Sequence, residues 1–253
     1  MSVNVQVRKN GRAQLRVTHR LLPAGYSVYS AADAGEAGAR HDVARDRRLD
    51  ADEEKSIEAA LAGLPRVGRQ RAWGADAQFR LLFHVILHQG MRLKEAICAR
   101  VADIDFAAGV WAIRGSKGHR GRERQRSMPI HPALAGELRA WCEGRDATGL
   151  LFDYWRGDDA AALRRACNAA SGRFATLFAY AGAEGLREHD LRHEACCRWL
   201  AMRDARGAWL FSEVEVCRMF GWSDTRIMLR YASIRGSDLA ARLRDDAALR
   251  QGA

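Results

Sequence analysis

The stretch from His189 to Tyr231 constrains the architecture of this chain more than any other segment. It begins with His189 and Arg192, which lie three residues apart, so that on a helix they share one face and both reach the same small anion. It ends with Gly221-Trp222 and then Tyr231, which closes a short amphipathic run. An imidazole, a guanidinium and a phenol on helical segments favour a mainly helical domain that gathers these groups around an anion.

Arg92 supplies a second guanidinium from far upstream, within the segment 90–95. Two guanidinium forks hold the non-bridging oxygens of a phosphodiester and stabilise the charge that develops on them. Together with an imidazole and a phenol, they predict attack on a phosphodiester. Glu95 follows Arg92 by three residues. We expect Glu95 to orient Arg92 or to cap the helix rather than to perform chemistry.

These motifs resemble those of the tyrosine recombinases, also called phage integrases. The family pattern is Gly-x-Arg-x-x-Glu, a Lys in a β-hairpin turn, His-x-x-Arg, Gly-His or Gly-Trp, and a Tyr nine residues after that His or Trp. The matching positions here are, in order, Arg92 with Glu95, Lys117, His189 with Arg192, Trp222 and Tyr231. The resemblance covers roughly residues 49–240. It implies a mainly α catalytic domain with a small antiparallel β-sheet.

The resemblance implies a site-specific recombinase or integrase of a mobile element that acts on double-stranded DNA. Tyr231 would attack a phosphodiester to give a 3′-phosphotyrosyl link and a free 5′-hydroxyl. A 5′-hydroxyl of the partner strand would then reverse the step. Because the covalent link stores the bond energy, no cofactor, metal or ATP is expected.

The resemblance also assigns a role to each remaining group of the site. Arg92 and Arg192 clamp the phosphate, and His189 helps to move the proton of the nucleophile. Lys117 protonates the leaving 5′-oxygen. Trp222 donates its indole N–H to the phosphate and packs against the nucleophile.

A net charge of +10 and a pI near 9.8 predict a polyanionic partner, most simply nucleic acid. No apolar run approaches the length of a membrane span, and the first residues lack a signal-peptide core. We therefore expect a cytoplasmic protein, associated with the nucleoid. The six cysteines form no Cys-x-x-Cys pair, which predicts buried reduced thiols rather than disulfides or a zinc site.

Residues 1–30 predict a small basic appendage, either a β-hairpin or a three-stranded sheet. A three-residue loop at residues 9–11 gathers the apolar side chains on one face. It pairs Val7 with Ala13, Val5 with Leu15, and Val3 with Val17. A third strand is expected near residues 26–30. The basic positions Arg8, Lys9 and Arg12 indicate either a solvated sheet face or DNA contacts like those of the arm-binding domain of many integrases.

Residues 31–48 read as a linker, and residues 49–253 as the catalytic domain. Integrases carry a helical core-binding domain before the catalytic domain, and this linker is too short to hold one. Two alternative functions therefore stay open: a DNA-binding integrase remnant without recombination of its own, and DNA relaxation like that of a type IB topoisomerase. The tail, residues 238–250, is amphipathic, and the resemblance implies that it docks on a neighbouring protomer in a homotetramer on DNA, with an accessory protein as a further partner.

A second hairpin is predicted by strands at residues 110–113 and 127–130. The loop between them, residues 114–126, holds six Lys or Arg against one acid. By resemblance this loop lies beside the cut site and contacts phosphates without base specificity. The candidate DNA contacts are Arg114, Arg120, Arg122, Arg124 and Arg126.

Helix boundaries are marked by local signals. Asp50 and Ser212 are predicted N-caps, the latter in a Ser-x-x-Glu box. Apolar residues at helical spacing across residues 79–87 predict a core helix that ends at Gly90. A further helix is expected over about residues 159–180, and the helix carrying His189 follows it.

Overall fold

The computed structural model describes residues 2–7, 13–18, 47–68, 71–117, 123–157 and 159–222. The chain divides into two units, Met1–Arg45 and Asp46–Ala253. In the first unit, β1 (Ser2–Val7) pairs antiparallel with β2 (Ala13–Thr18). The register confirms the predicted pairs: Val7 with Ala13, Val5 with Leu15, and Val3 with Val17. The strand predicted near residues 26–30 lies outside the described residues.

The described part of the second unit consists of helices and one small antiparallel sheet. In chain order the elements are α1 (Ala51–Leu61), α2 (Ala77–Gln89), α3 (Leu93–Ile97), β3 (Ile104–Asp105), β4 (Val110–Lys117), β5 (Glu123–Pro129), α4 (Pro132–Cys142), α5 (Ala160–Ala181), α6 (Glu188–Ala201) and α7 (Glu213–Phe220). A single 3-10 turn, Val101–Asp103, precedes β3. This order confirms the predicted class, mainly α with a small antiparallel sheet.

Helix α2 lies at the centre of the core, because apolar side chains surround most of its circumference. Its buried residues are Phe79, Leu81, Leu82, Phe83, Val85, Ile86, Leu87 and Gln89. It packs against α4 and α6, and Phe79 meets Phe174 of α5 with ring centroids 4.7 Å apart. The predicted core helix is confirmed, and its buried face is wider than the apolar stripe alone indicated. A helix buried this widely holds its C-terminal end, where the candidate site begins, in a fixed place.

The predicted caps are confirmed. The side chain of Asp50 accepts from two backbone amides of the first turn of α1, and Ser212 caps α7 in a reciprocal capping box. Gly90 ends α2 in the left-handed region, at φ +65°. A Cβ at Gly90 would lie 2.5 Å from Cε1 of Phe220. Glycine is therefore needed both for the turn and for the close approach of the two segments.

The sheet has the order β3-β4-β5, and β4 and β5 are longer than predicted. Ile113 pairs with Arg126, after which residues 114–115 face the single residue 125. Gly115 has φ +78°, so the register shift is a β-bulge with glycine in the left-handed region. The predicted strand limits were wrong because both strands continue into the basic segment, where the run of charged residues hides the strand pattern in the sequence. The connection that follows Lys117 is reduced to residues 118–122.

The end of the predicted linker belongs to the second unit. Arg47 pairs with Glu53 of α1, and Arg48 pairs with Glu194 of α6, with its Nε 2.9 Å from Oε2. The residues before Arg47 in the linker and the predicted tail, residues 238–250, lie outside the described part of the chain. Four of the six cysteines are buried: Cys142, Cys196, Cys197 and Cys217. None of the helices that the structure describes is long and apolar enough to cross a membrane.

Candidate active site

Glu95 is the anchor of the candidate site. Arg92 stands at the N-cap of α3, and its backbone N–H donates to Glu95 Oε2 at 2.9 Å. The Arg92 guanidinium donates from Nη1 to Glu95 Oε1 at 2.6 Å. One carboxylate therefore caps the helix and orients Arg92, which are the two roles expected from the sequence. The Arg92 side chain is 39% exposed and that of Glu95 only 2%.

Arg126 is bound to the same carboxylate. Its Nη1 donates to Glu95 Oε1 at 2.9 Å and its Nη2 to Oε2 at 2.8 Å, while its Nε donates to the Met219 carbonyl at 2.7 Å. This corrects the expectation that Arg126 is a DNA contact in a basic loop. It lies in β5, is buried, and uses all three guanidinium nitrogens inside the protein.

Strand alternation is the signal in the sequence that would have revealed this role. Gln125, Ser127 and Pro129 are exposed, whereas Arg126 and Met128 are buried. Arg126 therefore shares the inward face with Met128. The sequence-based strand began at Ser127, one residue too late to include Arg126 in the pattern.

The arginines determine the ionisation of Glu95. Burial alone would raise the pKa of this carboxyl, but the bidentate bond from Arg126 and the charges of Arg126 and Arg192 outweigh it and lower the pKa to about 2. Glu95 is therefore a carboxylate throughout the physiological range. It cannot serve as a proton donor or acceptor there, which supports its reading as an orienting residue.

Arg192 lies on α6 and is only 1% exposed. Its Nη1 donates to the carbonyl of Gly90, and its Nη2 donates to the carbonyl of Phe220 at 2.7 Å. Nη1 also lies 3.9 Å from Glu95 Oε2, and the guanidinium carbon lies 5.0 Å from the centre of the Phe220 ring. Arg192 thus joins the chain just before Arg92 to the chain just before Trp222.

His189 is in the first turn of α6, one helical turn before Arg192. Its side chain reaches the surface, yet the packing around the ring and the charge of Arg192 lower its pKa below the usual value. The charge of Arg92 acts in the same direction. The lowered pKa favours the neutral imidazole of His189 near pH 7, which is able to accept a proton.

Trp222 is buried at the end of the described chain. Its ring lies 5.2 Å from that of Phe220 and 5.8 Å from the guanidinium carbon of Arg192. Lys117 ends β4, where its backbone pairs with that of Glu123. Tyr231, the predicted nucleophile, lies outside the described residues. The structure thus brings Arg92, His189, Arg192 and Trp222 to one place and leaves Lys117 at the end of the neighbouring strand.

The remaining candidate DNA contacts are described only in part. Arg114 pairs with Asp103 at 2.6 Å, and its side chain is 58% exposed. It lines a cavity of about 220 Å³ beside Glu95, together with Lys94 and Trp155. Arg124 lies in β5 with its backbone opposite Ser116. The other predicted contacts, Arg8, Lys9, Arg12, Arg120 and Arg122, fall outside the described residues.

A second buried carboxylate, Glu194 on α6, was missed by the sequence analysis. It accepts from Arg48 Nε at 2.9 Å and from Arg198 Nε at 3.1 Å. Arg198 also binds Glu54 of α1 with both terminal nitrogens, at 3.0 and 2.6 Å. We call Arg48, Glu54, Glu194 and Arg198 the Glu194 cluster, and Arg92, Glu95, Arg126 and Arg192 the Glu95 cluster.

The two clusters differ in net charge. The Glu95 cluster sets three guanidinium groups against one carboxylate, a surplus of two positive charges. The Glu194 cluster sets two guanidinium groups against two carboxylates and is neutral. Within the described residues, Nε and Nη2 of Arg92 form no hydrogen bond, so the half-exposed arginine keeps donors for an incoming group. The Glu95 cluster is therefore a candidate anion site beside His189.

The fold is that of recombinase and integrase catalytic domains. XerA recombinase superimposes with a TM-score of 0.57 at 16% identity, covering 79% of this chain and 65% of XerA. A lambda integrase dimer bound to a COC′ core site gives a TM-score of 0.50 at 17% identity, covering 75% of this chain and 48% of that one. At such identities the likeness concerns the fold alone.

Sequence comparison gives the family. The chain belongs to the phage integrase family, whose model matches residues 47–236. It is 27% identical over 208 residues to the shufflon-specific DNA recombinase of Escherichia coli, which is 82% of this chain and 44% of that protein. It is 32% identical over 72 residues to the tyrosine recombinase XerC of Chromobacterium violaceum, 28% of this chain and 22% of XerC. The chain thus spans less than half the length of either relative.

Proposed function

We propose that this chain is a site-specific DNA recombinase, or integrase of a mobile element, that cuts and rejoins double-stranded DNA through a 3′-phosphotyrosyl intermediate. The observation that carries the proposal is the surplus of two positive charges in the Glu95 cluster, next to the neutral imidazole of His189. A phosphodiester supplies the missing negative charge, and its transition state supplies more of it. Membership of the phage integrase family supports the same reaction.

The anion-binding groups act on the phosphate oxygens. Arg92 offers Nε and Nη2 to the non-bridging oxygens, while Glu95 fixes its Nη1. Arg192 adds a second positive charge from its buried position. Its hydrogen bonds to two backbone carbonyls hold the segments that carry Arg92 and Trp222. Trp222 contributes an indole N–H to the same phosphate.

The covalent step is a transfer of the phosphoryl group from one oxygen to another. The Tyr231 oxygen forms a bond to phosphorus, and the bond from phosphorus to the 5′-oxygen breaks. His189 accepts the phenolic proton, for which its lowered pKa suits it at neutral pH. Lys117 gives a proton to the leaving 5′-oxygen. Attack by a 5′-hydroxyl of the partner strand reverses each transfer and releases Tyr231.

The wider assembly is part of the same proposal. DNA lies along the basic hairpin β4–β5, where Arg114 and the loop after Lys117 contact phosphates. The first unit acts as an arm-binding sheet, and the tail, residues 238–250, joins protomers in a tetramer on DNA. An accessory protein strengthens the binding to DNA, and recombination takes place at the nucleoid in the cytoplasm. The lambda integrase dimer bound to a COC′ core site, which shares this fold, supports DNA as the partner.

The test is trapping of a covalent adduct on nicked duplexes with randomised core sequences, whose nick releases a short strand and prevents religation. The native chain should form an adduct that survives denaturation. Tyr231→Phe should abolish it, because the phenolic oxygen is the nucleophile, while DNA affinity stays nearly unchanged. Adducts formed by the Phe variant would assign the nucleophile to another residue, and no adduct with the native chain would refute the activity.

A matched control is Tyr180→Phe. Tyr180 lies in α5, and its hydroxyl accepts from the Arg66 amide and donates to the Arg71 carbonyl, both of them backbone groups. Removing this hydroxyl should leave adduct formation as it is in the native chain. A loss in both variants would indicate a general effect of tyrosine substitution on the fold.

A further inference from the structure

Arg126 occupies an unusual place between the elements of the site. It belongs to β5, yet its guanidinium donates none of the hydrogen bonds described above to the paired strand β4. It donates instead to α3, through Glu95, and to the last turn of α7, through the Met219 carbonyl at 2.7 Å. One side chain therefore connects the hairpin with two separate helices.

Glu95 is shared between Arg126 and Arg92. Both oxygens of the carboxylate accept from Arg126, at 2.9 and 2.8 Å, and the same two oxygens accept from the side chain and the backbone of Arg92, at 2.6 and 2.9 Å. A bidentate fork fixes the plane of a carboxylate, which a single ammonium cannot do. The orientation of Arg92 therefore depends on the fork of Arg126.

The hydrogen bond from Arg126 to the Met219 carbonyl also holds the segment that leads to Trp222. Gly221 ends α7 at φ +71°, and a Cβ at this position would lie 3.1 Å from Cδ of Arg126. The turn after α7 thus runs directly over the Arg126 side chain. A side chain that held only Glu95 would not need this close approach.

We propose that Arg126 is a positioning residue of the recombinase site, which fixes the Glu95 carboxylate so that Arg92 presents Nε and Nη2 to the scissile phosphate. The inference rests on the proposed function and deepens it. Arg126 touches no reacting atom, because all three of its guanidinium nitrogens are bonded within the protein. A buried ion pair that served stability alone would need no connection to the phosphate-binding arginine.

The first test is a double-mutant cycle on single-turnover cleavage of the nicked duplex. Arg126→Lys keeps the charge but loses the fork, and it should lower the cleavage rate about tenfold or more with little change in DNA affinity, because misplacing a reacting group by about 1 Å costs up to about 10²-fold. In an Arg92→Ala background the same change should cost less than about twofold. Equal losses in the two backgrounds would overturn the proposal.

A matched control is Arg139→Lys. Arg139 is exposed on α4 and stacks on Phe106, with the guanidinium carbon 4.8 Å from the ring centre. This change should alter cleavage in neither background. Thermal melting of each variant separates a loss of folded protein from a loss of rate.

The second test does not depend on activity. In nitrogen-15 spectra of the arginine side chains, the bond from Arg92 Nη1 to Glu95 should slow rotation of the guanidinium and keep its two terminal nitrogens distinct. Arg92→Lys identifies the signals by their loss. Arg126→Lys should merge them, and signals that stay distinct would overturn the proposal. A native chain that forms no adduct refutes the recombinase activity, whereas this spectrum still decides whether Arg126 positions Arg92.

Discussion

The Glu95 cluster and the Glu194 cluster are built alike and do different things. Each centres on a buried glutamate flanked by arginines, and the pKa of each glutamate is lowered because the arginines outweigh the effect of burial. In the Glu194 cluster every guanidinium is matched by a carboxylate, so the group ties Arg48 and α1 to α6. In the Glu95 cluster three guanidinium groups face one carboxylate, a surplus of two positive charges among these four residues.

We infer that this difference separates a structural ion-pair network from a candidate binding site. A neutral network gains nothing from an added anion, whereas a buried surplus of positive charge favours one. Exposure points the same way. Arg92 is half-exposed with unused donors, while the fully used guanidinium of Arg198 binds three carboxylate oxygens at 2.6 to 3.1 Å. Charge balance, more than the presence of buried arginines, therefore distinguishes the candidate site.

The largest expected effect comes from removing one arginine from each cluster. Arg92→Ala should slow single-turnover cleavage by about 10² to 10³, the usual cost of losing one donor to developing charge. The thermal midpoint should change little, since Glu95 keeps Arg126 as its partner. Arg198→Ala should do the opposite and lower the free energy of unfolding by about 1 to 3 kcal/mol, because the partly buried Glu54 loses its bidentate partner and the buried Glu194 loses one of its two arginines.

Cleavage is measured per folded molecule in both variants, and melting is followed by circular dichroism. The comparison fails if Arg198→Ala slows cleavage as much as Arg92→Ala does. It also fails if Arg92→Ala loses DNA binding and cleavage equally, since Arg92 would then be an ordinary phosphate contact rather than a group acting on the transition state.

The two clusters also differ in how far the sequence predicted them. Arg92 and Glu95, His189 and Arg192 were found because their spacing of three residues is a local pattern that a helix converts into one face. The helix caps and the N-terminal hairpin register were predictable for the same reason, since each depends on neighbouring residues.

The contacts of Arg126 and of the Glu194 cluster could not be predicted in this way. Arg48 and Glu194 are 146 residues apart, and Arg126 and Glu95 are 31 apart in different elements. Such pairs depend on which helices and strands pack together. In addition, the basic residues of β4 and β5 resemble a solvated loop, which concealed the strand alternation that turns Arg126 inward.

A smaller effect is expected from acid. The folded pKa of Glu95 is about 2, below its ordinary value of 4.5, so its contribution to stability is present above pH 4.5 and is lost as the pH falls towards 2. Between pH 7 and pH 3, protonation of Glu95 should lower the free energy of unfolding by on the order of 2 kcal/mol. Urea unfolding at the two pH values should show a correspondingly smaller loss in Glu95→Gln than in the native chain.

Glu213→Gln provides the control, because Glu213 is an exposed carboxylate in the first turn of α7. The loss of unfolding free energy between pH 7 and pH 3 should be nearly the same in Glu213→Gln as in the native chain. If Glu95→Gln is too unstable to measure, the carboxyl carbon of Glu95 in the native chain can be titrated by nuclear magnetic resonance. A midpoint near 4.5 in that titration would show that the arginines do not hold the charge as the contacts indicate.

The smallest expected effect tests the charge surplus itself with inorganic phosphate. An anion that binds only the folded protein stabilises it by RT ln(1 + [L]/Kd), which is about 1 kcal/mol at about five times the Kd. Phosphate should raise the thermal midpoint of the native chain relative to sodium chloride at equal ionic strength, which removes general screening. Arg92→Ala should lose most of this increment because it removes the exposed donors. Arg198→Ala should melt lower yet keep the full increment, since its cluster has no unmatched charge for phosphate to occupy. An increment that survives Arg92→Ala would place the bound phosphate on another basic surface, and the charge surplus around Glu95 would then not be the anion site.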